Sequence, residues 1–333
     1  MRFNRYITNF QDVYRVLPGY FIEIDITDEL GGKQECYYSP CNIIDVFDEE
    51  EVAFKLKEVL VNVVNNIPDG DMISLISGGL DSSVITYLAK KRFKNLKLYT
   101  VGTEKKNEFK EATIFANSIG EKVNEIIFEE DEFIRSFSEV ISLVGHSHSR
   151  FIEYLTPVNT IHKCFKQTKG RIISGYGSDI LFGGFAKPGM KISEITELIW
   201  SEYISTYWSN ETSQNLGDIY NLDIYYPYFD DKLIDLTFRI DPRLKFKDNI
   251  EKYILRKAFS NVIIDEIIWR RKVGIHEGTG CENFFTQLLE ERNLGCKDIR
   301  EKKDYLAYKI FESIFVENKR IEDIDEKYLN YIL

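Results

Sequence analysis

The sequence predicts an α/β chain built on a doubly wound, mainly parallel sheet, and three observations carry that expectation. Short apolar runs at 71–76, 96–101 and 123–128 alternate with stretches of helical apolar spacing at 84–90 and 109–118. That alternation calls for parallel strands with helical crossovers. A glycine-rich loop, Ser77-Gly78-Gly79-Leu80-Asp81-Ser82-Ser83, joins the first strand to its helix, and a second, Gly175-Tyr176-Gly177-Ser178-Asp179-Ile180, follows a short strand at 171–174. In such a sheet both loops reach the carboxyl rim, where ligands bind.

In chain order, residues 1 to about 45 are rich in short β-type runs (13–17, 20–26, 35–38) around Pro18-Gly19 and a turn through Leu30-Gly31-Gly32, which reads as a small antiparallel hairpin unit. Residues 47–68 carry the apolar spacing of a helix through Val52, Phe54, Leu56, Val59, Leu60 and Val63, closed by Pro68. The strand at 96–101 ends in Val101-Gly102-Thr103, and Asn107-Glu108 opens the next helix. A helix over 131–144 leads to a loop at His146-Ser147-His148-Ser149, and Thr156-Pro157 is expected to open a further helix to Lys166. From 190 to 333 the pattern is helical or mixed, without low-complexity segments or an internal repeat.

Composition narrows the function classes. A chain of 333 residues, 44% hydrophobic and 29% charged, has the make-up of a globular protein with room for one large domain or one and a half. A net charge of −11 without a basic stripe argues against nucleic acid as a partner. No apolar run is long enough to span a bilayer and the N-terminus lacks the apolar core of a signal peptide, so a cytoplasmic location away from membranes is expected. Five cysteines (Cys36, Cys41, Cys164, Cys281, Cys296) contain no CxxC pair, which suggests neither a disulfide framework nor a zinc site. His146 and His148 have no carboxylate or cysteine at ligand spacing and read as a polar loop.

The 77–83 loop carries the most chemistry. Gly78 and Gly79 let the backbone turn sharply, and the hydroxyls of Ser77, Ser82 and Ser83 with the free N–H groups of a helix start put donors into one concavity. This suits phosphate or pyrophosphate, although a serine-capped helix after a buried strand would use similar residues. The absence of Gly-Lys-Ser/Thr separates the loop from the Walker type.

Ser-Gly-Gly-Leu-Asp-Ser-Ser resembles the pyrophosphate loop of the ATP pyrophosphatase family, in the form found in asparagine synthetase B and β-lactam synthetase. The resemblance spans about residues 10–290 in four stretches and implies an adenine-nucleotide α-hydrolase-like domain at 46–333 with a helical C-terminal part. It implies cleavage of ATP between the α- and β-phosphates to adenylate a carboxylate. Leu17-Pro18-Gly19-Tyr20 and Tyr37-Tyr38-Ser39-Pro40 are similar to the end of a glutaminase-like domain, so 1–45 reads as its short β remnant. With Arg2 at position 2 and no cysteine before Cys36, ammonia is not expected to be made from glutamine here.

By the same resemblance, Ser77, Gly78, Gly79, Asp81, Ser82 and Ser83 would hold ATP with Val101, Gly102, Thr103, Gly175, Gly177 and Lys252. Asp81 and Asp179 would hold Mg²⁺, although each alone could simply cap a helix. Tyr176 stands where asparagine synthetases carry glutamate and β-lactam synthetases carry tyrosine. Asn210-Glu211-Thr212-Ser213 resembles the segment that supplies that tyrosine's carboxylate. Tyr176 and Glu211 are therefore expected to form a proton-accepting dyad, against the alternative that Tyr176 merely packs. Lys272, within Trp269-Arg270-Arg271-Lys272-Val273-Gly274-Ile275-His276-Glu277-Gly278-Thr279-Gly280, would stabilise the oxyanion and the adenylate from a glycine-rich, flexible loop. The expected reaction is ATP-dependent amide formation on an amino acid-like small molecule, closing a β-lactam-type ring. The alternatives are an intermolecular ligase, an amidotransferase, a peptide macrolactam cyclase, or a non-catalytic nucleotide-binding subunit. The partners expected are a small-molecule substrate and either a second copy of the chain or a partner biosynthetic protein.

Overall fold

The computed structural model describes residues 10–14, 16, 19–24, 32–40, 43–166, 170–324 and 326–332, without the side chains of 150, 205–215, 326 and 331–332. Strands β1 (Tyr20–Ile24) and β2 (Gly32–Cys36) form the expected hairpin, with Tyr20 opposite Cys36 and Ile24 opposite Gly32. Except for Gly32, the turn expected at 30–32 lies outside the described residues. Helix α1 (Glu49–Asn65) starts where the Asp48 carboxylate accepts the Glu51 N–H at 2.8 Å. It buries Val52, Leu56, Leu60 and Val63 as its spacing indicates, but Phe54 lies off that stripe and is 70% exposed, because two residues from Val52 and Leu56 turn it to the opposite side of the helix.

The alternation then runs as expected: β3 (Met72–Leu75), α2 (Leu80–Arg92), β4 (Leu96–Gly102), α3 (Phe109–Ser118) and β5 (Val123–Ile127). Helix α2 begins earlier than its apolar spacing suggested, because Gly79 is its extended N-cap and Asp81, Ser82 and Ser83 become its first turn. After α4 (Glu132–Val144) comes α5 (Ser149–Phe165), which corrects the expectation of a helix opening at Thr156-Pro157. Pro157 sits inside α5, where its ring leaves the Glu153 carbonyl without an N–H. The Cys281 thiol donates to that oxygen at 3.8 Å, while Ile152 and Leu155 anchor the added turns in the core.

Next come β6 (Arg171–Ile173), α6 (Ser178–Leu181), α7 (Ile192–Ile219) and β7 (Asp223–Tyr225), the last a strand in a region read as helical or mixed. Three residues are too few to show a period. Helices α8 (Asp231–Arg239) and α9 (Pro242–Lys245) lead to the short pair β8 (Phe246–Lys247) and β9 (Ile250–Glu251), joined through left-handed Asp248 and Asn249. The chain ends with α10 (Tyr253–Phe259), α11 (Asp265–Ile268), α12 (Ile275–Gly278), α13 (Cys281–Glu290), α14 (Ile299–Phe315) and α15 (Glu326–Ile332).

The central sheet has the order β5-β4-β3-β6-β7 with every pairing parallel. Winding runs outward from β3 to β5, then reverses to β6 and β7, so β3 and β6 flank the switch point. Pleating separates the two faces. Met72, Leu98 and Ile173 join the core of α1, α2 and α10. Ile73, Leu75, Tyr99, Ile172 and Ile224 face Ile161 and Phe165 of α5. Beyond α5, helices α4, α13 and α14 pack through Phe137, Phe285 and Leu306.

Candidate active site at the sheet switch point

The loops after β3 and β6 meet at the switch point, and their glycines bring the backbones together. Gly78 has φ +68°, and a Cβ there would lie 2.3 Å from the Glu111 carbonyl carbon. A Cβ on Gly175 would lie 2.6 Å from the Ser82 nitrogen, so the second loop presses directly on the first turn of α2. Ser82 Oγ accepts from the Ser77 N–H and Ser77 Oγ from the Gly79 N–H, each at 3.3 Å. Gly79 supplies no side-chain cap, so the positive end of α2 is left to backbone donors, the arrangement suited to an anion.

Lys252 ties the charges together. The β8–β9 turn delivers it in a left-handed conformation, φ +55°, as the N-cap of α10, a strained geometry for a side chain with a Cβ. It is only 2% exposed, and its Nζ lies 2.5 Å from Asp81 Oδ2 and 2.7 Å from Asp179 Oδ1. Burial would lower the ammonium pKa, but the two carboxylates outweigh burial and raise it. Lys272 Nζ reaches Asp179 Oδ1 at 3.0 Å and sits 3.9 Å from the centre of the Phe185 ring. Burial pushes the Asp179 carboxyl up, and the two lysines overcome it and hold it below the usual range. Asp81 is raised by burial, with Lys252 opposing and Asp179 adding to the rise.

A divalent cation fits this donor set. Asp81 Oδ1 is buried without a hydrogen-bond partner, and Asp179 faces it across one ammonium. No cluster of three or more metal-ligating side chains exists among the described residues. An ion here would thus share its coordination with phosphate oxygens and water, the habit of Mg²⁺.

Tyr176 lies in an aromatic group, its ring centre 5.5 Å from Phe229 and 6.0 Å from both Tyr154 and Tyr226. Burial, followed by the neighbouring Tyr176 and Asp179, drives the Tyr154 phenol well above its ordinary pKa. Glu211 belongs to helix α7, and its side chain lies outside the described residues. The 270–280 stretch, expected as a loop, contains the helical turn α12 and is latched by Arg270, which pairs with Glu108 at 2.8 Å and donates to the Ser77 carbonyl at 3.2 Å.

Ser77, Gly79, Asp81, Ser82, Val101, Gly175, Tyr176, Gly177, Asp179, Lys252 and Lys272 all line one cavity of about 1340 Å³. Gly78, Ser83, Gly102 and Thr103 are buried behind that lining, and Thr103 Oγ1 closes the β4–α3 turn by accepting the Lys106 N–H at 3.1 Å. Several lining groups went unread in the sequence: Tyr154 and His162 on α5, and the Glu153–Lys303 ion pair of 2.5 Å that brings α14 to the cavity wall. The signal available for α5 was a histidine and a tyrosine on a helix of mixed polarity, which packing alone also explains.

Fold and rim together define a doubly wound domain whose site lies at the switch point, lined by glycine loops, paired carboxylates and lysines. The chain belongs to the asparagine synthase family, whose model matches residues 55–223 and 220–330. It is 24% identical to a carboxyethyl-arginine beta-lactam-synthase of Streptomyces clavuligerus over 92% of this chain and 60% of that protein. It is 26% identical to asparagine synthetase B (glutamine-hydrolyzing) of Escherichia coli over 81% of this chain and 54% of the relative. The chain thus spans a little over half the length of these relatives. Among solved structures, an NH3-dependent NAD synthetase from Campylobacter jejuni aligns over 83% of this chain and 98% of its own, at 13% identity and a TM-score of 0.34. No helix among the described residues is long and apolar enough to cross a membrane.

Proposed function

We propose that this chain uses ATP to activate the carboxylate of an amino acid-like substrate and joins it to an amine, releasing AMP and pyrophosphate. The observation that carries the reading is the convergence of Lys252, Asp81, Asp179 and Lys272 beside the 77–82 loop in a member of the asparagine synthase family. The loop donors and Lys252 bind the pyrophosphate portion, and the substrate carboxylate attacks the α-phosphorus as the bond to pyrophosphate breaks. Mg²⁺ bound at Asp81 and Asp179 would neutralise phosphate charge. In the second step the amine attacks the acyl carbon, its proton passes to the Tyr176 oxygen as the phenol gives its own to the Glu211 carboxylate, and the bond to AMP breaks. Lys272 faces the negative charge that develops on the acyl oxygen.

Ring closure within one substrate is the form we favour. Tyr176 in place of a glutamate and the likeness to a protein named as a beta-lactam-synthase support it. An amine tethered to its own acyl adenylate also gains a large effective concentration. The test is incubation with ATP, Mg²⁺ and a panel of β-amino acids and amino diacids, with products followed by mass. A product lighter than its substrate by one water, formed with pyrophosphate, is the expected result. Pyrophosphate release that requires a second amine would replace ring closure by intermolecular ligation, and silence across the panel would favour a binding subunit.

A further inference from the structure

Below the phosphate end, the cavity runs along the sheet face over Leu75, Val101, Val158, Ile172 and Ile224, a largely apolar floor that His162 of α5 also lines. This residue is 3% exposed, and its Nδ1 is buried without a hydrogen-bond partner among the described residues. Burial holds the imidazole down at about 4, so it is neutral near pH 7 and carries one N–H donor and one bare nitrogen acceptor. A leucine or phenylalanine would fill this place without leaving an unpaired polar group in an apolar wall. The same cavity joins this floor to the serine and glycine loop, so its shape suits a ligand with a polyanion at one end and a flat heteroaromatic base at the other.

We propose that His162 reads the edge of the nucleotide base, supplying the hydrogen bond by which the site prefers a purine to any triphosphate of similar charge. This rests on the nucleotide reading above and adds a residue to it. The chain has four histidines, so imidazole NMR signals of the whole protein can be followed, with that of His162 assigned by its loss in His162→Phe. ATP should move the His162 signal, whereas inorganic triphosphate should leave it in place. In equilibrium binding, His162→Phe should weaken ATP about tenfold while triphosphate affinity stays unchanged, and His162→Gln, which keeps a donor and an acceptor, should recover part of the loss. ATP binding tightly to both the wild type and His162→Phe, with the His162 signal unmoved, would overturn the inference while sparing the nucleotide reading. Failure of the wild type to bind ATP would overturn both.

Discussion

Lys252 and Lys272 both contact Asp179, yet they belong to regions built in different ways. Around Lys252 the geometry is set by backbone: glycine contacts between the two loops, a left-handed residue at a helix start, and an ammonium 2% exposed between two carboxylates. Around Lys272 it is set by side chains, through the Arg270–Glu108 pair, the reach to Asp179 and the Phe185 ring, with Lys272 itself 26% exposed. Charges locked in a buried frame are costly to unmake and little affected by salt, whereas partly exposed latches are cheap to unmake and screened by it. In the proposed reaction, the difference suits a phosphate end that is preformed and a segment over the reacting carbon that adjusts.

Four substitutions press on this contrast, from the largest expected effect to the smallest. Lys252→Met leaves Asp81 and Asp179 facing each other without the buried cation they share, with only Lys272 still on Asp179, and chemical denaturation should show a loss of about 3–5 kcal/mol. A midpoint like that of the wild type would erase the distinction. His162 belongs to the buried end of the same cavity. Its imidazole is held at about 4, below the ordinary 6.5, so between those values the unfolded chain binds more protons than the native one. Stability present above pH 6.5 is therefore lost as pH falls through that window, by about 3 kcal/mol from this group. His162→Phe should flatten the acid limb of a stability-versus-pH curve by that amount, and an unchanged limb would contradict the assignment.

In the latched region, Arg270→Gln should cost about 1.5–2 kcal/mol, since it strips the charge partner from Glu108 and the donor from the Ser77 carbonyl. Lys272→Met should change stability by less than about 1 kcal/mol while blocking amide formation. Turnover resembling that of the wild type would remove Lys272 from the chemistry.

The fold was legible where the chain repeats a pattern. Strands at 72–75, 96–102 and 123–127 and the intervening helices follow from apolar runs bounded by turn residues, and Asp81, Asp179 and Lys252 do meet at the rim. What escaped depends on contacts distant in sequence. Pro157 marks a helix start by local rules, but Cys281, far along the chain, meets the carbonyl it leaves open. Strand β7 exists because β6 offers it a ladder, with Ile172 level with Ile224. Lys303 reaches the cavity only through its pairing with Glu153, and nothing near 303 in the sequence announces that partner.

The measurement that bears most directly on the central claim is oxygen transfer from the substrate carboxylate to AMP. A substrate that supports pyrophosphate release would be labelled with ¹⁸O in its carboxylate and the recovered AMP examined by ³¹P NMR or mass. Carboxylate activation requires one labelled oxygen on the AMP phosphorus, because the acyl–oxygen bond breaks when the amine attacks the adenylate. Unlabelled AMP formed with pyrophosphate would mean that water, not the substrate carboxylate, attacks the α-phosphorus, and carboxylate activation would have to be abandoned.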